Sequence, residues 1–158
     1  MSLWLYYLSP IDSVVNWNKI ESGFLHALLK TIEPINERFV DRCFGVRNET
    51  RDRARRLFYG GQVLFSTIKC ATKVLCRDGK FRNIIKCEVY SSLKTEKYEV
   101  YLFFDSETGK YVDHPFSKCT CRAGNYFCGN MLALFLILRL VQLRHDIPFS
   151  TIQSVLPA

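Results

Sequence analysis

The chain has 158 residues, a formal net charge of +7 and a pI near 9.1. Hydrophobic residues make up 48% and aromatic residues 14%, which excludes a disordered chain and allows a packed core. The length suits one domain with a small helical extension, and the basic balance favours acidic partners, nucleic acid first.

Residues 1–47 read as an N-terminal helical extension, and 48–158 as the main domain. The first eight residues are apolar but lack a basic start and stop at Ser9-Pro10, so they do not read as a secretory signal. Phe24, Leu25, Leu28, Leu29 and Ile32 recur at helical spacing. Pro34 ends that helix, and Ile35, Phe39, Val40 and Phe44 mark the apolar stripe of a second. Asn48 suits the N-cap of a third, running to Tyr59 before the Gly60-Gly61 stop.

The periodicity then changes. Residues 62–76, rich in Val, Ile, Thr and Phe, predict a strand, and Asp78-Gly79 predicts a hairpin turn into a second strand over 81–93. Tyr98, Val100, Leu102 and Phe104 share one face of a third strand, 97–104. A fourth is expected over 110–121. Short turns between sequential strands predict an antiparallel meander of about four strands, hence an α+β fold. A buried helix follows from Asn130 to about Arg144. Its run 131–138 is apolar all round and too short to span a membrane.

Between the fourth strand and that helix lies Cys119-Thr120-Cys121, then six residues, then Cys128-Gly129-Asn130. Side chains alternate along a strand, so Cys119 and Cys121 would point to one face. Residues 123–125, Ala-Gly-Asn, can turn the chain back and bring Cys128 to the same place. Three thiols at one point suit zinc, which takes four N or S ligands in a tetrahedron. The seven cysteines are an odd number, and this clustering reads as metal ligands or free thiols rather than a disulfide framework. Cys43, Cys70, Cys76 and Cys87 read as buried thiols. Cys70 and Cys76 share a parity, which would let them face the same side. His114 and His145 are the alternative donors for a fourth corner, each more simply read as a surface histidine.

The segment resembles the SWIM zinc-finger module, whose pattern is C-x-C, a gap, then C-x-H leading into an apolar helix. Cys119, Cys121 and Cys128 fall on its cysteines; Asn130 stands at the histidine position. Residues 119–124 (Cys-Thr-Cys-Arg-Ala-Gly), the Ala133-Leu134 pair and the stretch 53–63 are similar to SWIM segments found beside YqaJ-type viral recombinase nucleases. The likeness spans about residues 51–140. It implies a non-enzymatic zinc-binding module for nucleic acid or protein, inside the cell and in the nucleus. The alternative is a metal-free degenerate SWIM fold serving as a protein-interaction fragment or accessory of such a nuclease.

No Gly-rich phosphate loop, H-E-x-x-H or G-x-S-x-G occurs, so neither catalysis nor a small-molecule substrate is expected. Arg47, Arg51 and Arg55 step by four along the helix after Asn48, with Arg53 and Arg56 beside them. Arg51, Arg53, Arg55 and Arg56 are the candidate nucleic-acid contacts; Arg38 and Arg42 read as a solvated face. Tyr98, Tyr101, Phe103 and Tyr111 could stack on bases but fit strand packing better.

Overall fold

The computed structural model describes Ile11 and residues 15–19, 24–45, 48–91, 96–113, 116–121 and 128–143. Its elements in chain order are β1 (Asn18–Lys19), α1 (Phe24–Leu29), α2 (Glu37–Phe44), α3 (Asn48–Tyr59), β2 (Val63–Leu75), β3 (Phe81–Tyr90), β4 (Lys97–Asp105), β5 (Tyr111–Val112), β6 (Lys118–Cys119) and α4 (Gly129–Leu143). The sheet is antiparallel in the order β1-β2-β3-β4-β5, with β6 also on β4. This is the expected α+β meander with helices before it and a helix after it. Among the described residues no helix is long and apolar enough to cross a membrane.

Three features depart from the sequence reading. The N-terminal segment is not helical throughout: Asn18 and Lys19 pair with Cys70 and Lys69 at the outer edge of β2. That edge has unpaired backbone groups, and a segment carrying Val15 and Trp17 meets them better as a strand than as a helix. The fourth strand is broken. Val112 lies opposite Phe103 and Lys118 opposite Tyr101, so two pairings six residues apart in the sequence are separated by a single β4 position, Leu102. In the sequence Pro115 falls between the two pairings, and a proline has no N–H for a ladder. Ser117 spans the break by donating to Val112 O and accepting from Phe103 N.

The third departure is the parity of Cys70 and Cys76. A bulge between Ala71 and Val74 places two residues of β2 opposite one of β3, which exchanges the faces. Cys70 joins the core under the helices, whereas Cys76 packs with Ala71, Val74, Ile84, Tyr101 and Phe103 on the other face. Lys73 carries the bulge at φ 51°, and its N–H is bonded to Asn83 Oδ1 at 3.0 Å.

The main core lies between the sheet and α1–α3, with α4 threaded through it. Leu25, Leu28, Leu29, Ile32, Ile35, Phe39 and Val40 all enter it, as do Val100, Leu102 and Phe104. An apolar run with no polar face is stable only when covered on every side, and α4 meets α1 and α3 on one side and β4 and β6 on the other. Gln142, near its end, accepts from Ile35 N and donates to Leu29 O and Glu33 O. That side chain satisfies the backbone of the α1–α2 connection.

Gly109 closes the β4–β5 turn at φ 73°, and a Cβ there would lie 2.0 Å from Thr31 O. Its carbonyl accepts from Glu33 N. Positive φ and direct backbone contact together admit only glycine. Gly109→Ala should therefore destabilise by about 2 kcal/mol or more, since strain alone costs roughly 1–3 kcal/mol. Urea unfolding would check this; an unchanged midpoint would mean that the turn does not dock on Thr31.

Candidate metal centre

The pairing of β6 ends at Cys119, but Thr120 keeps the chain on β4. Its N–H donates to Glu99 O, and its hydroxyl accepts from Glu99 N at 2.9 Å. Cys121 thus lies just past the strand end rather than within a strand. Cys128 occupies the N-cap position of α4. Its carbonyl takes the first helical bond, from Leu132 N at 3.1 Å, and the Met131 amide acts on its sulfur in the direction that favours the thiolate.

The Sγ atoms of Cys119, Cys121 and Cys128 all lie within 4.8 Å of one another. Cys119 and Cys128 are buried and Cys121 is half-buried. Around tetrahedral zinc, sulfurs 2.3 Å from the ion lie about 3.8 Å apart, so this cluster is close to ligand spacing. Three closely spaced cysteines of this kind could bind a metal ion.

Asn130 is 1% exposed, and its Nδ2 donates to Cys119 Sγ at 3.5 Å. A zinc ligand with a bond near 2.05 Å would stand about 3.6 Å from each sulfur, and the amide head stands at that range from Cys119. Among the described residues its buried Oδ1 has no hydrogen-bond partner. A buried orphan acceptor costs about 1–3 kcal/mol, and it is the atom of this residue able to ligate a metal. The donor set therefore fits a small thiophilic ion, with the amide as the weakest member.

Cys119 and Cys128 hold their thiol protons in the absence of a cation. Hydrogen bonds to Cys121 and Cys128, together with burial, push the Cys119 thiol far up. For Cys128 the bond with Cys119 lowers the pKa, but Cys121 and burial outweigh it, to about 11. Three clustered thiolates would repel one another; a central cation reverses that balance.

Two positions complete the corner that sequence reasoning did not assign to it. A Cβ on Gly129 would lie 2.8 Å from Arg53 Cδ and 2.9 Å from Cγ, so the Arg53 stem lies across the start of α4. Tyr98 hydrogen-bonds Glu96 at 2.9 Å, and Cys121 and Arg53 both act on its hydroxyl electrostatically. The only sequence sign of the Arg53 contact is a glycine at a helix start.

The other cysteines lie apart from this cluster. Burial pushes Cys43 and Cys70 up to about 11 and Cys87 further; Cys76 is also raised by burial. They are inert packing thiols. His114, His145, Arg47 and the turn at 123–125 lie outside the described residues.

The four candidate arginines on α3 differ in their surroundings. Arg51 is mostly buried and bridges Glu37, at 3.0 Å, and Asp41; Glu37 also holds Arg139 at 2.9 Å. Arg55 pairs loosely with Asp52 at 3.6 Å, and Arg53 and Arg56 are exposed. Tyr101 and Phe103 are buried in the sheet, and Tyr111 packs on Phe39, Phe104 and Phe135, so these rings serve packing.

Compared with models of known protein families, with curated proteins and with solved structures, the chain matches none.

Proposed function

We propose that this chain is a zinc-stabilised, non-enzymatic binding module of the SWIM type, with nucleic acid as its partner. The observation that carries the reading is the convergence of Cys119, Cys121 and Cys128 within 4.8 Å at the strand-to-helix corner. Zinc there would tie the end of β6 to the start of α4, and structural zinc sites contribute on the order of 10 kcal/mol in apparent folding energy. The partner class rests on the +7 charge. A SWIM-type module of this kind would act inside the cell, with the nucleus as the compartment that the resemblance suggests.

A second reading has support in the same corner. The three free thiols cluster and Asn130 donates to Cys119, so the pocket is partly satisfied without metal. A metal-free protein-interaction fragment, or accessory of a YqaJ-type nuclease, would look the same. Metal analysis of protein purified without chelator separates the two. About one zinc per chain, lost in Cys128→Ser, supports the first. No metal above background, in protein that folds, supports the second.

A further inference from the structure

The β2–β3 hairpin end concentrates exposed charge with little to balance it. Lys73, Arg77 and Lys80 are all exposed. None of them forms an ion pair among the described residues. The acid in the turn, Asp78, is committed elsewhere. It takes both guanidinium nitrogens of Arg82 at 2.8 and 2.7 Å, which pulls its carboxyl down to about 2. Arg82 is itself buried and lies 3.9 Å from the centre of the Phe116 ring. Across the ladder, Asp105 faces Arg82 in register and turns its Oδ1 onto the Glu107 and Thr108 amides.

An aromatic ring stands among these cations. Phe81 lies opposite Leu75 and is 50% exposed. The bulge at Lys73, the ladder pair Leu75–Phe81 and the Cys76 N to Lys80 O bond follow one another along the hairpin. Successive rungs are about 3.4 Å apart, so the cations and the ring lie within roughly 15 Å. Cations flanking an exposed ring make a surface that attracts phosphates and stacks one unpaired base. A membrane would need more apolar surface than this. Besides Phe81, the exposed large hydrophobic residues among those described are Tyr59 and Leu143, neither of them on this hairpin.

We infer that the end of the β2–β3 hairpin, through Lys73, Arg77, Lys80 and Phe81, is a contact surface for single-stranded nucleic acid. The inference rests on the nucleic-acid reading above and moves the main contact from α3 to the hairpin, where the cations form no ion pair among the described residues and an aromatic is exposed.

The test is fluorescence anisotropy of a labelled 20-nucleotide single strand against salt, on the full chain. The probes are the parent, Lys73→Ala/Arg77→Ala/Lys80→Ala, Phe81→Ala and Arg53→Ala/Arg55→Ala/Arg56→Ala. All these residues are exposed, and thermal melts matching the parent confirm folding. The hairpin triple variant should lower the log–log salt slope by about 2, since each phosphate contact on a single strand contributes roughly 0.7. Phe81→Ala should weaken binding about fivefold or more with the slope kept, because a stacked base is lost rather than a charge. A parent that binds and loses binding only in the α3 triple variant overturns the hairpin surface and keeps the nucleic-acid reading. A parent that fails to bind at low salt overturns both. Binding to anionic lipid vesicles, lost in Phe81→Ala and without binding to the strand, would reassign the hairpin to a membrane surface.

Discussion

Asn130→His should bind zinc on the order of ten- to a hundredfold more tightly than the parent. The position is 1% exposed, and its side-chain head already reaches to 3.5 Å from Cys119 Sγ. A histidine there replaces a neutral amide with an imidazole, a far better donor to this borderline-soft ion. It also removes the orphan Oδ1, so the substitution exchanges an unsatisfied buried acceptor for a ligand. A tenfold gain in affinity at saturating zinc is about 1.4 kcal/mol of added stability, or roughly 3–6 °C in melting temperature for a chain of this size.

Chelator competition with a colorimetric zinc reporter reads the affinity, and thermal melts with and without zinc read the linkage. The stabilisation should vanish in chelator, because it belongs to the metal-bound state alone. Cys128→Ser should lose metal in both backgrounds. Should Asn130→His change nothing while Cys128→Ser still releases zinc, the fourth ligand comes from outside the corner. Should neither parent nor Asn130→His hold zinc, the metal reading fails and the protein-interaction reading takes its place.

Much of the architecture is written in local patterns. The unbroken apolar run 131–138 demanded a helix covered on all sides, and α4 is that helix. Asp78-Gly79 demanded a tight hairpin, and Gly79 takes φ 82°. Cys119, Cys121 and Cys128 converge because a strand end and a helix start stand at fixed spacing in the sequence. What escaped the sequence depends on partners far along the chain. The strand at 18–19 is dictated by the free edge of β2 some fifty residues away. The bulge that separates Cys70 from Cys76 falls at Lys73, a residue with no intrinsic preference for positive φ. Arg51 looked like one member of a surface stripe, yet Glu37 and Asp41 on the preceding helix close around it. Helical periodicity gives the side of a helix but not what lies against it.

Phe135→Ala should be the most damaging single core change, and the loss should not depend on metal. Phe135 is fully buried on α4. Its ring centre lies 4.9 Å from that of Phe39 on α2 and 5.3 Å from that of Tyr111 on β5. Tyr111 in turn meets Phe104 on β4 at 5.7 Å. One ring therefore joins two helices to the sheet edge that carries Cys119. Removing a buried Phe costs about 3–5 kcal/mol in lost transfer energy and cavity, and aromatic pairs add about 0.5–1.5 kcal/mol each. Against a total of roughly 5–15 kcal/mol, that is a large share, and the melting temperature should fall by on the order of 10 °C. Arg55→Ala, on an exposed surface, should stay within about 0.5 kcal/mol. The measurement is urea unfolding of both variants and the parent, in zinc and in chelator. A core contribution lowers the midpoint equally in the two conditions, whereas the Asn130→His gain appears in zinc alone. If Phe135→Ala is mild in chelator and severe in zinc, the aromatic cluster is built by the metal rather than by its own packing.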